Sequence, residues 1–510
     1  MKGITRSIRK DYLLPDTPLR EFYEHSPLEP DFEAIIQEKS KIPLSREILS
    51  NIIRKQYDGL ELYPATQEAL KNLAAPNAYT VTTGHQLVFL GGPLFTTYKV
   101  LHTIKLANTL SQKFPQYRIV PIFWIHTEDH DFEEINHYYP SYNEMVEYSG
   151  KFSGKVGQHI IEPEIAELLP PHFSENLQES YSPGQTWTAA YRSFMHQLFG
   201  PLGVLMIDAD DPFLKGQFRE VFRRDLEENF SQKCVNITSD RLREKGYVPQ
   251  VHPREINIFY LKGALRNRLV KEGNRFRAYN SDQVWEKKDL LAMLDQHPEY
   301  FSPNVCLRPL YQEQILPNLA YIGGWGELSY WVQLKGLFKE AQTPFPLLMP
   351  RMSATLFRPH EARNWKDFGL DLTEIEHPIP QLSQKLLRKY WAADDLLAHF
   401  DSINSEIERL EAYVEQFSST LPRSIEGHKV KSQRFFQRIN KKLQKVIMQK
   451  YPEFNALTEL KEKVQPDRLR QERVLSLASF PTYSPEDLIQ QIFDSCEPLN
   501  YSPRFVTLNS

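Results

Sequence analysis

Through the middle of the chain, short apolar runs rich in β-branched residues alternate with stretches of helical period. The runs are YTVTT at 79–83, IVPIFWI at 119–125, VLMID at 204–208 and INIFYL at 256–261. Their length and composition are those of buried strands, and the segments between them repeat their apolar positions every three or four residues. Such alternation predicts a parallel α/β sheet covered by helices. Ligands of these sheets bind beyond the carboxyl ends of the strands, so the residues just after each run are where chemistry should be sought. Residues 1–78 mix polar helical segments with prolines and read as a helical lead-in.

From about residue 385 to 450 the period changes. Leu396, Phe400, Ile403, Ile407, Leu410, Val414 and Phe417 recur in steps of four and three, the 3.5-residue spacing of a coiled-coil seam. After the break STLPRSIEG, Phe436, Ile439, Leu443 and Val446 resume it. Two helices joined by a Pro- and Gly-containing link predict a helical hairpin. It is either a layer packed on the core or a protruding coiled coil that pairs subunits, and its strongly charged flanks favour the second. The expected domains are therefore a lead-in at 1–78, a catalytic core at 79–375, a helical coiled-coil domain at 376–480, and a segment at 481–510 that returns to the core.

Composition narrows the classes. A chain of 510 residues exceeds a single core. Its 41% hydrophobic and 25% charged residues suit an ordinary globular protein, and a net charge of −4 offers no electrostatic case for nucleic acid. No window approaches the roughly 20 apolar residues of a membrane span. The start, MKGITRSIRKDYLLPD, lacks the apolar segment of a secretory signal. Cys234, Cys306 and Cys496 are odd in number and form no CxxC pair, which points to a reducing compartment, the cytoplasm, and away from disulfides or a thiolate zinc site.

Three blocks carry chemistry. In AYTVTTGHQLVFLGGPLFTTYK a strand runs into Gly84, His85 and Gln86, and Gly91 and Gly92 precede Pro93 at the start of a helix. A glycine turn feeding a helix amino end is a ready anion site, and Lys99, two turns on, is expected to reach the same anion. The order of strand, turn, histidine and helix is that of class I nucleotidyl-transferring folds, although no standard ATP signature is present. In PIFWIHTEDHDFEEINH an apolar strand ends in five carboxylates and three histidines within twelve residues. Glu128, Asp129, His130 and Asp131 are candidates for general acid/base work, with Asn136 behind them, because neighbouring carboxylates and imidazoles perturb one another's pKa. His126 and His130 have the i, i+4 spacing of helical metal ligands, but a preceding strand makes that register doubtful, so no metal is expected. The third block, FSPNVCLRPLYQEQILPNLAYIGGWGELSYWVQLK, offers Asn304, Arg308 and Glu327; further on, Arg351 follows another apolar run. Arginine is the natural fork for carboxylate or phosphate, while a buried structural pair of Arg308 with Glu313 or Glu327 is the plainer alternative. Asp208 and Asp211 in LMIDADDP suit a turn cap, and Cys306 suits packing.

Taken in order, TGHQ…GGPLFTTYK, PIFWIHTEDHDFEEIN, FSPNVCLRPLYQE and GGWGELSYWVQLK, ahead of a coiled coil, resemble the bacillithiol biosynthesis family BshC, its cysteine-adding enzymes. The likeness runs from about residue 55 to the end. It implies a Rossmann-like parallel-sheet core related to class I synthetase and nucleotidyltransferase folds, an α-helical coiled-coil domain that makes a homodimer, and a cytoplasmic ligase. The implied reaction joins the carboxylate of L-cysteine to the amine of glucosaminyl-malate, with ATP or another nucleotide as a possible activating partner. Gly84, Gln86, Pro93 and Lys99 match the family's glycine turn and helix; Glu128, Asp129, His130, Asp131 and Asn136 its acidic block; Asn304, Arg308, Gly326, Glu327 and Trp331 its third block; and Arg351 its proline-arginine segment. In the family pattern a second glutamine often stands where His85 is, and a proline where Trp325 is, so His85 is not expected to be the sole base. Two other readings stay open: a class I nucleotidyltransferase-like enzyme acting on another small acceptor, and a noncatalytic scaffold built on the coiled coil.

Overall fold

The computed structural model describes residues 5–41, 45–150, 152, 154–263, 265–391, 394–466 and 469–509. It divides into two compact units, one made of the chain up to Ala354 with Glu472–Arg504, the other of Thr355–Gln471 with the chain from Phe505 on.

The first unit is built on a five-stranded sheet of β1 (Ala78–His85), β2 (Arg118–Ile125), β3 (Leu205–Asp208), β4 (Asn318–Gly323) and β5 (Leu347–Pro350). All neighbours are parallel, in the order β5-β4-β1-β2-β3. These strands are buried along nearly their whole length, which is why they read as continuous apolar runs. Pro121 is tolerated inside β2 because the ladder to β3 begins only at Ile122. Helix Leu94–Lys113 crosses from β1 to β2, and its Leu106, Ala107 and Leu110 pack with Val81, Leu319 and Ile322 of the sheet. The lead-in helix Phe32–Lys39 completes that layer through Phe32, Ile35 and Ile36. The chain lays down β1, β2 and β3 to one side and then returns to place β4 and β5 on the other side of β1. The crevice therefore opens where β1 and β4 diverge, beyond Gly84 and Gly323.

The run at 256–261 departs from the sequence expectation. It enters a second, antiparallel five-stranded sheet of Ile258–Lys262, Leu265–Glu272, Arg275–Ala278, Val284–Glu286 and Phe301–Pro303. A short apolar run does not encode the direction of its partner, and here the next strand, Leu265–Glu272, pairs with it antiparallel.

In the second unit, helices Asp394–Glu415 and Leu421–Lys450 form the hairpin anticipated from the seam, with the rings of Phe400 and Phe436 stacked 4.3 Å apart. Ile403, Leu410 and Phe417 of the same seam stay exposed in the single chain. Helices Pro359–Asp367, Ile379–Tyr390 and Glu453–Val464 enclose a separate core around Trp365, Leu382, Leu386 and Leu457. Among the described residues no helix is long and apolar enough to cross a membrane.

Candidate active site

Beyond the carboxyl ends of β1 and β4 lies a cavity of about 980 Å³. At its floor β1 and β2 run so close that a Cβ on Gly84 would lie 3.0 Å from His126 Nε2 and 3.1 Å from the Trp124 carbonyl, so glycine is the residue that fits. The His85 ring stacks on Phe95, and its Nδ1 accepts the Gln86 backbone N–H at 2.8 Å. That bond assigns the neutral ring its proton on Nε2, and this nitrogen is buried without a partner among the described residues. His126 Nε2 is buried and unpartnered in the same way. Burial, reinforced by the nearby Lys99 ammonium, holds His85 well below the usual imidazole range. Burial, followed by the Arg308 guanidinium, lowers His126 to about 3. Both rings are thus neutral at physiological pH and offer uncommitted nitrogens to the cavity they line.

The cations around the floor differ in how far they are already committed. Lys99 lies 2.6 Å from Glu327 and also donates to the Gly84 carbonyl at 2.9 Å. Glu327 accepts from Gly324 N–H and from the Tyr321 hydroxyl, each at 2.8 Å. Although burial alone would raise it, Lys99 and these donors bring the Glu327 carboxyl down to about 2. Lys99 is therefore a clamp between β1 and helix Trp325–Trp331, not the free anion ligand expected from its spacing. Arg351 is likewise held, donating to Glu472 at 2.7 Å, and Glu472 also accepts from Ser353 and the Ala354 N–H. Arg308 is different: no carboxylate pairs with it among the described residues. It donates to Gln312 Oε1 at 3.1 Å and to the Tyr330 hydroxyl at 3.3 Å. The Gln312 amide is oriented from behind, where its Nε2 donates to Glu313, the buried carboxylate paired with Lys39 at 2.6 Å. The expected structural pairing thus exists at Glu313, but with Lys39, and it leaves Arg308 free to meet a ligand charge.

The acidic block forms turns and irregular loop, not helix, so His126 and His130 do not share a helical face. Arg266 donates to His130 Nδ1 at 2.8 Å. Among the described residues no group of three or more His, Cys, Asp or Glu is arranged to hold a metal. Glu128 lines the cavity but is ion-paired with the fully buried Lys215, which also holds Asp210 at 2.6 Å; Lys155 binds Asp210 at the same distance. Asp129 also lines it, accepting from Gln86 Nε2 and from His130 N–H, both at 2.7 Å. Burial pushes its carboxyl up, but these donors bring it below the usual range and keep it ionised.

Three candidates lie outside the cavity lining. Gly92 adopts φ 71° in a buried turn packed on Val88, and the adjoining N–H groups of Gly91, Gly92 and Leu94 donate to the carbonyls of Val88, Phe89 and Leu475. The turn serves chain reversal and its donors are spent, so the expected anion site at 84–93 shrinks to Gly84, His85 and Gln86. Asp131 is exposed at the tip of the block. Asn136 is buried, donating to the Tyr148 carbonyl and Glu147. Asn304 does reach the cavity, donating to Asn257 Oδ1 at 2.9 Å and accepting the Cys306 N–H. The Cys306 thiol is pushed up by burial to about 12, in keeping with a packing role. Asp211 caps helix Pro212–Gln217 through the Leu214 N–H, and Asp208 accepts the Thr127 hydroxyl at 2.6 Å.

Sequence reasoning missed Arg254, Arg266, Arg268, Tyr330 and Arg473, all in the cavity wall. Positions 266 and 268 do carry one signal, since alternate residues of a strand face the same side.

Sheet order, switch-point cavity and buried uncommitted nitrogens define a Rossmann-like α/β protein with a candidate site at the carboxyl ends of its strands. The model of the bacillithiol biosynthesis BshC N-terminal Rossmann-like domain matches residues 3–352, and that of the BshC C-terminal coiled-coil domain matches 354–508. The chain belongs to the BshC family. It is 32% identical over 99% of its length to a Flavobacterium johnsoniae protein, covering 98% of that chain. A Cytophaga hutchinsonii protein is 31% identical over 96% of this chain and 94% of its own. Both relatives bear the name "Putative cysteine ligase BshC". A solved structure from Campylobacter jejuni, named "putative arginyl t-RNA synthetase", aligns with 85% of this chain and 100% of its own at 10% identity and a TM-score of 0.22, too slight a likeness to bear on fold or function.

Proposed function

We propose that the protein is the cysteine ligase of bacillithiol biosynthesis, forming an amide between the carboxyl carbon of L-cysteine and the amine of glucosaminyl-malate. What carries this is the meeting in one cavity of a half-buried cation with no carboxylate partner among the described residues, Arg308, and two neutral imidazoles, His85 and His126, whose Nε2 atoms are buried without a partner there. A carboxylate and an amine do not condense usefully in water without activation, which a nucleotide would supply by converting the cysteine carboxylate to an acyl donor. The amine nitrogen then attacks the activated carbonyl, the leaving group departs with its bonding electrons, and the amine proton passes to a base. Arg308 suits a substrate carboxylate, and the Nε2–H of His85 suits an oxygen that gains negative charge. Asp129, ionised and held by Gln86, suits the ammonium end of the acceptor and its proton. The exposed seam at Ile403, Leu410 and Phe417 supports pairing of two copies through the helical hairpin.

Thiol profiling by mass spectrometry in a strain deleted for the gene tests this directly. Accumulated glucosaminyl-malate and absent bacillithiol, restored by the wild type but not by Arg308→Ala, are expected. Normal bacillithiol in a deletion strain with no second copy would sink the assignment and favour a nucleotidyltransferase-like enzyme with another acceptor.

A further inference from the structure

The antiparallel sheet carries four arginines on two neighbouring strands, and they divide sharply by partner. Arg275 pairs with Glu286 at 2.5 Å and Arg277 with Glu272 at 3.0 Å. Arg266 and Arg268, two residues apart on Leu265–Glu272, line the cavity instead, and neither has an ion-pair partner among the described residues. Arg266 lies 4.1 Å over the Phe259 ring and donates to His130 Nδ1, while its Nε is buried without a partner among the described residues. Arg268 lies 4.2 Å over the Tyr279 ring. Arg254, from the segment leading into the sheet, lines the same cavity, also without an ion-pair partner among the described residues. Aromatic faces fix the two strand guanidiniums in place without neutralising them. The Asp129 carboxylate favours the charged form of Arg266 but makes no ion pair with it among the described residues, so the guanidiniums of this wall keep donors for an anion.

We propose that Arg254, Arg266 and Arg268 form an anion subsite on the antiparallel-sheet wall of the cavity, distinct from Arg308 at the floor, which takes a multiply charged anion. Two sources share that chemistry, the phosphates of a nucleotide and the paired carboxylates of a dicarboxylate. The subsite rests on the cavity being the substrate site, and not on which bond is made there.

The test is calorimetric titration of the full-length protein with inorganic pyrophosphate and, separately, with L-malate. Wild type is compared with Arg254→Ala/Arg268→Ala and with Arg275→Ala/Arg277→Ala, which removes the same charge from the same sheet away from the cavity. Loss of a charge-assisted contact weakens binding by about tenfold or more. Such weakening in the first variant for pyrophosphate alone identifies the phosphate source, for malate alone the dicarboxylate source, and for both a subsite open to either; the second variant is expected to stay within about twofold of wild type. If the wild type binds neither probe, if both variants weaken equally, or if neither does, the subsite is overturned. Binding is read without turnover, so these outcomes are independent of the thiol profile that tests the ligase assignment.

Discussion

Replacing Glu327 by glutamine keeps the shape of its side chain and removes the charge that holds Lys99. In the wild type the Lys99 ammonium is buried with two acceptors, the Glu327 carboxylate at 2.6 Å and the Gly84 carbonyl at 2.9 Å. The carboxyl is lowered from 4.5 to about 2. At about 1.4 kcal/mol per unit, that shift corresponds to roughly 3 kcal/mol of stability. Breaking a buried pair by removing one partner costs about 3–5 kcal/mol, the same range. The sign follows from the depressed pKa: the contribution is complete above the unfolded value of 4.5 and is lost as pH falls toward 2. Urea unfolding across this range is the assay. Glu327→Gln should be about 3 kcal/mol less stable than wild type at pH 7, with the gap closing as pH approaches 2. The double variant Lys99→Met/Glu327→Gln should recover part of the loss, since no orphan charge remains. Equal stability at pH 7, or a gap unchanged at pH 2, would refute the clamp between β1 and helix Trp325–Trp331.

Gln312→Leu removes the acceptor that orients Arg308 without touching the cavity, and it should raise KM for the anionic substrate about tenfold with a smaller change in kcat; an unaltered KM would show that Arg308 needs no such support. His85→Ala should lower kcat by about 10²–10³, whereas His85→Gln, which keeps an N–H donor, should retain part of the rate; equal losses would argue against a donor role. Lys215→Met leaves Glu128 and Asp210 with only Lys155 between them and should cost about 3–5 kcal/mol in urea unfolding, an effect that a merely peripheral lysine would not show.

Much of the site was legible because strand ends announce themselves. The abrupt change from PIFWI to TEDHD marked the end of β2, TTGHQ marked that of β1, and Arg308 and Glu327 fell in the one block where charges sit among apolar neighbours. Spacing along the chain was a poorer guide to contact. Lys99, two turns into its helix, turned out to be consumed by Glu327, a residue 228 positions away. Gly91 and Gly92, which look like an anion loop, spend their N–H groups on their own turn.

By itself the sequence determined the local periods: buried parallel strands, the seam of the helical hairpin, and the chemical types available at each strand end. These depend on nearest neighbours and on the alternation of apolar and polar positions. Only the tertiary structure decided which charges cancel and which remain. Lys39 reached Glu313, Lys99 reached Glu327, Lys215 reached Glu128 and Asp210, and Arg351 reached Glu472. Among the described residues, Arg308 and the cavity-lining Arg254, Arg266 and Arg268 were left without an ion pair. Whether a guanidinium is a structural tie or a binding group depends on what lies within about 4 Å of it, and chain topology, not local pattern, settles that.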